Sequence, residues 1–343
     1  MKTVLCIVDG MTDSEFNLAN MPALEKMAHD GATGILHTTP PGFLPGTLPC
    51  ICSLLGVPDE AIAKTGRGWV EALGSGLHIA PDDIAFRTSW ISLAPDGTSI
   101  GFCPHPPHTA KAVEGTSYYP LQEYAGILVV HGGANNPAYK QVRTMPPHMK
   151  FGQDVELVLP KGAKEIEAFS AANRSDDLIA IPWSGGRADE RLHFPFKSAM
   201  ISSTMVVKGI GRILEMEVLQ GERSTGDVDT DLEEKYKLCC DTLEKVDFVV
   251  LHFGGPDEAS HRKNRAEKEE FLRRVDAEVI GPLSRQNIQF AVCSDHSTDP
   301  VTGAHGGEPQ PYFVVGSPCR EKGGELWGGG LLELLGLPLP QSL

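Results

Sequence analysis

Six side chains in this sequence are of the types that hold a transition metal, and each follows a strand-like apolar run. KTVLCIVDG contains Asp9; VDFVVLHFGGPDEASH carries Asp257 and His261 just beyond its apolar stretch. IQFAVCSDH ends in Asp295 and His296, and His305 comes nine residues later in GAHGG. Imidazole and carboxylate donors together suit Zn, Mn or Fe rather than Ca. Six of them are too many for one tetrahedral ion and suit two, an arrangement that stabilises both the attacking and the leaving oxygen of an in-line phosphoryl displacement. Asp257 and His261 are four apart, so a helix beginning near Asp257 puts both on one face. A nucleophile is then needed, and Thr47 in PGTLPCICSLLG is the candidate. It follows Gly46 and precedes Pro49 and an apolar helical run, so its hydroxyl sits at a helix N-terminus, where free N–H groups and the positive dipole end suit a phosphate. Ser53 is a rival hydroxyl that falls mid-helix among Ile51, Leu54 and Leu55. Taken singly each residue has a plainer reading: Asp9-Gly10 as a turn, His261 on a helix surface, Asp295-His296 or Thr47 as a helix cap. Their recurrence after three separate strands favours the metal centre.

The elements that must position these residues are strands alternating with helices. KTVLCIVDG, VDFVVLHFGG, IQFAVCSDH and PYFVVGSP read as strands, and MPALEKMAHDGATG and RAEKEEFLRRVDAEVIGPL as helices, the former stopping at Gly31. Such alternation predicts an α/β fold with a mostly parallel sheet sandwiched by helices, whose strand C-terminal ends gather the site on one edge. SAMISSTMVVKGIGRILEM reads as an apolar helix-length stretch. The Pro- and Gly-rich middle, with ILVVHGG and VELVLP as short strands, reads as a smaller α/β module inserted into the sheet domain. The boundaries expected are 1–80 and 185–343 for the metal-binding domain and 81–184 for the insertion.

The formal net charge of −15 argues against a nucleic-acid or anionic-membrane surface, since no basic excess is present to neutralise phosphates. The N-terminal apolar run is too short for a signal peptide or a spanning helix, which points to the cytoplasm. Eight scattered cysteines, Cys50/Cys52 and Cys239/Cys240 among them, lack the paired spacing of a thiol metal site and read as reduced, small hydrophobes. Nothing in the sequence bears on oligomeric state.

The motifs IVDGMTD, GRGWVEALGSGLHIAPDDIAFRTSW, KGIGRILEMEV, STGDVDTD and GGPDEASH…SDH…AHGG resemble the archaeal-type, cofactor-independent phosphoglycerate mutases of the alkaline phosphatase superfamily. The resemblance covers roughly residues 1–95 and 180–316. It implies an alkaline phosphatase-like fold, two divalent metal ions (Mn or Zn), and a transiently phosphorylated hydroxyl. By that resemblance Asp9, Thr47, Asp295 and His296 surround one metal, and Asp257, His261 and His305 hold the other. The small phosphorylated metabolite would meet Arg67, Arg87 and Lys197, with Arg212 a further basic candidate. The chain departs from the family's nucleophile motif: Thr47 stands where the family has Ser, Leu48 where it has Asp, and Ile51 where it has His. Threonine serves as nucleophile elsewhere in the superfamily, in nucleotide pyrophosphatase/phosphodiesterase-like and phosphonoacetate hydrolase-like members. No Arg occurs between Arg87 and Arg143, where the mutases carry an arginine-rich segment; His105 and His108 in a Pro-rich loop stand there as candidate substitutes. Interconversion of 3- and 2-phosphoglycerate through a phosphothreonine is therefore the leading expectation. The alternatives are a metal-dependent phosphatase or phosphodiesterase, a homoserine kinase-like phosphotransferase, and a metal-bound binding protein without catalysis.

Overall fold

Thr3–Val8, the run TVLCIV, is buried along its whole length because it lies in the middle of a sheet with helices on its faces. The computed structural model describes residues 1–121, 124–187, 191–316 and 321–342. The chain forms two compact units, Met1–Ile62 with Glu190–Leu343, and Ala63–Asp189.

The first unit is built on eight strands: β1 (Thr3–Val8), β2 (Ala32–His37), β3 (Ser198–Ile201), β4 (Glu217–Leu219), β5 (Phe248–Phe253), β6 (Gln289–Cys293), β7 (Gln310–Val315) and β8 (Lys322–Trp327). Their order across the sheet is β4-β3-β5-β1-β6-β7-β2-β8. The five from β4 to β6 run parallel; β7 is antiparallel to both its neighbours, and β8 pairs parallel with β2. β7 runs opposite to β6 because the connection between them carries no crossover helix and turns back through the short antiparallel pair Ser297–Thr298 and His305–Gly306. Its longer helices are α1 (Pro22–Asp30), α2 (Thr47–Leu54), α3 (Met205–Ile213), α4 (Leu232–Leu243), α5 (Gly255–His261) and α6 (Arg265–Val275). Val4, Cys6, Val8, Val249, Leu251, Phe253 and Val292 alternate onto one face and pack with Leu24, Met27, Cys239 and Leu272. The N-terminus of α1 has no side-chain cap of its own, and Asp276 supplies one from a distance, accepting 2.9 Å bonds from the N–H groups of Ala23 and Leu24.

The apolar stretch SAMISSTMVVKGIGRILEM is not one helix: it is β3, a bend at Ser202–Thr204, and α3. Ser202 and Thr204 break it by bonding locally, the Thr204 N–H donating to Ser202 Oγ at 3.1 Å. The cysteines of α2, Cys50 and Cys52, are buried, and seven free cysteines occur among the described residues; Cys319, with the end of PYFVVGSP, lies outside them.

The second unit is an antiparallel sheet. Ile84–Leu93 pairs on one side with Leu178–Gly186 and on the other with Ala125–Val130 and Ser99–Phe102; Thr116–Pro120 adds beyond Ala125–Val130. The helix Arg67–Ser75 belongs to this unit, so the division falls near residue 63 rather than 81. It is held there by close approach: a Cβ on Gly68 would lie 2.3 Å from the Arg87 backbone nitrogen. VELVLP is not a strand; Val155–Leu157 forms a 3-10 turn whose cap, Asp154, accepts the Glu156 N–H at 2.9 Å. Among the described residues no helix is long and apolar enough to cross a membrane.

Candidate metal centre

β1, β5 and β6 are neighbours at the centre of the sheet, and their C-terminal ends lie at one edge. Asp9 directly follows β1 and donates its N–H to the Phe253 carbonyl at 2.9 Å. Asp257 lies in the first turn of α5, four residues after β5, and Asp295 two after β6. Gly10 has φ +61°, and a Cβ there would sit 2.6 Å from Thr298 Oγ1 and 3.0 Å from Asp257 Cα, so the turn that sets Asp9 beside Asp257 requires glycine. Buried Lys268 ties the flanking loops together, donating to the Thr12 and Thr298 carbonyls at 3.2 and 2.8 Å and pairing with Asp13 at 2.8 Å.

One cluster comprises Asp9, Asp295 and His296. His296 Nε2 lies 3.5 Å from Asp9 Oδ1 and 3.4 Å from Asp295 Oδ2. Its Nδ1 faces the Ser297 carbonyl at 3.2 Å; a carbonyl only accepts, so Nδ1 carries the proton and Nε2 presents a lone pair. All three converging atoms are buried and have no hydrogen-bond partner among the described residues. Lone pairs and anionic oxygens facing one another out of water are unfavourable unless a cation sits among them. The donor set therefore fits a divalent ion.

The second cluster is built from Asp257, His261 and His305. Asp257 Oδ2 lies 3.2 Å from His261 Nε2, Asp257 Oδ1 lies 3.2 Å from His305 Nε2, and the two Nε2 atoms are 3.0 Å apart. His305 Nδ1 faces the Pro45 carbonyl at 3.3 Å, which again turns Nε2 inward as a lone pair. The His296 and His305 rings stack with centroids 4.0 Å apart, so the clusters adjoin, and the donor atoms of Asp257, His296 and His305 also lie within 4.8 Å of one another. Thr47, the first residue of α2, places Oγ1 3.5 Å from Asp9 Oδ2. Leu48 is half-buried and Ile51 fully buried, while Ser53 is buried within the helix.

The electrostatics agree with an anionic pocket built for cations. Burial, with the charges of Asp295 and Asp257, pushes the Asp9 carboxyl well above the usual range. Burial works the same way on Asp257, but with no metal bound, hydrogen bonds and positive charge from the His261 and His305 rings in their protonated form outweigh it and hold that carboxyl well below its usual value. Cys50 and Cys52 are pushed up to about 11 and about 12 by burial, so neither thiol offers a thiolate.

His252 is the residue that sequence reasoning missed. It sits in β5 between Leu251 and Phe253, fully buried, with Nε2 3.2 Å from Asp9 Oδ2. Burial, followed by the charge of Lys235, lowers its pKa to about 3, so the ring is neutral. The signal was a single polar residue inside an otherwise apolar strand.

Two of the basic candidates are not brought to this edge. Lys197 precedes β3, and its carbonyl accepts from Asp247 at the start of β5. It therefore lies at the opposite edge, about 20 Å away over the six residues of a strand at about 3.3 Å each. Its position just before a strand was the readable sign. Arg212 lies in the last turn of α3, which returns toward that same far edge. In the second unit, taken by itself, Arg87 is buried and pairs through Nη1 with Glu71, while Arg67 donates Nε to the same carboxylate at 2.6 Å. Arg67 is partly exposed and lies over the Trp183 ring at 5.6 Å. His105 and His108 are exposed in their loop.

Among proteins of known name, the chain is 28% identical to the probable 2,3-bisphosphoglycerate-independent phosphoglycerate mutase of Geobacter sulfurreducens, over 94% of this chain and 93% of that one. It is 28% identical to 2,3-bisphosphoglycerate-independent phosphoglycerate mutase 1 of Methanothermobacter thermautotrophicus, over 93% and 90%. Among solved structures, the PH0037 protein from Pyrococcus horikoshii superposes with a TM-score of 0.72 at 22% identity, covering 98% of this chain and 97% of that one. The cofactor-independent phosphoglycerate mutase from Thermoplasma acidophilum has a TM-score of 0.57 at 16% identity, over 98% and 100%. These two structures share the fold. The sequence pattern of the metalloenzyme superfamily matches residues 1–336, and with the paired carboxylate–imidazole clusters at one sheet edge, the chain belongs to the metalloenzyme superfamily.

Proposed function

We propose that the protein is a two-metal phosphotransfer enzyme that interconverts 3-phosphoglycerate and 2-phosphoglycerate, the reaction for which its relatives from Geobacter sulfurreducens and Methanothermobacter thermautotrophicus are named. The observation that carries the reading is the set of buried, unpartnered atoms, Asp9 Oδ1, Asp295 Oδ2 and His296 Nε2, with a threonine hydroxyl at a helix N-terminus beside them. Asp9, Asp295 and His296 would hold one divalent ion, Mn or Zn, and Asp257, His261 and His305 the other. Bound there, the ions supply the positive charge that neutralises phosphate oxygens and acidifies a hydroxyl. The chain's own contribution is position. Thr47 Oγ forms the bond to phosphorus as the substrate's ester oxygen leaves, giving a phosphothreonine. The same substrate, held and reoriented, returns its other hydroxyl to that phosphorus, and the Thr47 oxygen leaves. In this reading the unit Ala63–Asp189 serves substrate recognition, and Arg67 is its group for an anionic end.

The position of Lys197 and the pairing of Arg87 with Glu71 favour a second reading, hydrolysis of a phosphate monoester, in which water takes the phosphoryl group from Thr47. One experiment separates them. Metal-loaded protein is given 3-phosphoglycerate or a generic phosphate monoester, with 2-phosphoglycerate and free phosphate measured in parallel. The first reading expects 2-phosphoglycerate without release of phosphate, and loss of at least a thousandfold in kcat in Thr47→Ala, as for loss of a nucleophile. Free phosphate alone supports the second reading; metal binding without turnover of either compound removes both.

A further inference from the structure

We infer that His252 is a positioning residue: it fixes the Asp9 carboxylate so that Oδ1 alone faces the metal. The inference rests on the reading of Asp9 as a metal ligand.

The proton on the His252 ring can be located from its neighbours. Ser202 follows β3, which pairs with β5, and its Oγ lies 3.2 Å from His252 Nδ1. That same Oγ accepts the Thr204 N–H at 3.1 Å; across the ring, a metal-bound Asp9 carboxylate only accepts, which places the ring proton on Nε2 and leaves Nδ1 to take the Ser202 hydroxyl hydrogen. Nδ1 is thus an acceptor, the ring proton is on Nε2, and Nε2–H donates to Asp9 Oδ2 at 3.2 Å. The result is a directed chain of donors, from Ser202 through His252 to Asp9.

The two oxygens of Asp9 are thereby made unequal. Oδ2 accepts from His252 and faces Thr47 Oγ1 at 3.5 Å. Oδ1 is buried, has no partner and faces His296 Nε2 at 3.5 Å. A carboxylate free to turn about its last bond would present either oxygen to the ion. Held by His252, it presents one to the ion and keeps the other for the hydroxyl of the candidate nucleophile. The backbone behind it is also fixed, since buried Lys235 donates Nζ to the His252 carbonyl at 3.0 Å. A fully buried imidazole with both nitrogens matched to a partner is expensive to place in a strand core unless it orients something.

The test measures metal binding rather than turnover. Mn²⁺ or Zn²⁺ affinity and stoichiometry are obtained by calorimetry, and the visible absorption of the Co²⁺-substituted protein reports ligand geometry. His252→Leu, which fills the strand position without a donor, is expected to lower affinity 10- to 100-fold and to shift the cobalt spectrum. His252→Gln, whose amide both accepts and donates, is expected to recover most of the affinity. Ser202→Ala removes the lock on Nδ1, together with the acceptor for the Thr204 N–H, and is expected to weaken binding severalfold; it decides the matter if the leucine variant does not fold. Unchanged affinity and spectrum in His252→Leu, or in Ser202→Ala where that variant must decide, would overturn the role of His252 while leaving the metal site intact. Absence of metal binding by the unaltered protein would overturn the site and this role together.

Discussion

Lys235 is a cation buried in the core, 1% exposed, in the middle of α4. Its Nζ has the His252 carbonyl as acceptor at 3.0 Å and lies 4.9 Å from the Phe253 ring centre, and no carboxylate among the described residues pairs with it. Burial lowers its pKa from 10.5 to about 8, against the opposing pull of Cys6. The folded pKa lies below the unfolded one, so between about pH 8 and 10.5 the unfolded chain binds the additional proton. Stability therefore rises with pH through that window, and below pH 8 the full penalty is present. The difference between 10.5 and about 8 corresponds to about 3 kcal/mol, at roughly 1.4 kcal/mol for each tenfold change in proton affinity. Lys235→Met removes the charge at nearly constant length and gives up one hydrogen bond, worth about 1 kcal/mol net. The variant is expected to be about 2 kcal/mol more stable at pH 7. Because other groups titrate equally in both proteins, the difference isolates Lys235. Urea titrations of the two proteins, followed by circular dichroism from pH 7 to 10.5, measure it. The unaltered protein should gain on the variant as pH rises and overtake it near the top of the range. A variant less stable at pH 7, by an amount that does not change with pH, would refute the reasoning and show that the ammonium is well solvated by its carbonyl and ring.

Asp276→Ala removes both acceptors from the first turn of α1, and about 2 kcal/mol of stability should go with it; Asp276→Asn, which keeps one acceptor, should lose about half as much, both read from denaturation midpoints. Asp295→Asn takes a negative charge from beside Asp9 and a donor from the first cluster. Metal content by elemental analysis should fall, while the metal-free protein should melt at a higher temperature than the unaltered one; retention of full metal content would argue against Asp295 as a ligand.

Much of the site was legible because a carboxylate or imidazole just beyond an apolar run is a strong departure from pattern. Asp9, Asp257 and Asp295 were visible for that reason, and the parallel order of β1, β5 and β6 brings them to one edge. His252 was not visible, because period-two reasoning sees a strand interior as core and cannot tell which buried residue backs a ligand. Lys197 was misplaced because its charge is written in the sequence while the sheet edge it occupies depends on where β3 starts. The reversal of β7 and the break before α3 turn on a connection that carries no crossover helix and on two hydroxyl residues. Both are local details that apolar patterning passes over. The helix Arg67–Ser75 was assigned to the wrong side of the division because packing at Gly68, and not composition, determines its unit.

The central position of β1 has a consequence for how the protein is made. β1 is paired on both sides by strands, β5 and β6, that begin at residues 248 and 289 and so leave the ribosome long after it. Asp9 then waits, with an apolar β1 exposed, until most of the chain has been synthesised. The candidate ligands that face Asp9 follow β5 and β6, so metal binding at this edge would come after their synthesis and cannot guide the earlier stages. A ribosome stalled before residue 248 would hold a chain with Asp9 in place and neither neighbour of β1 to pair with.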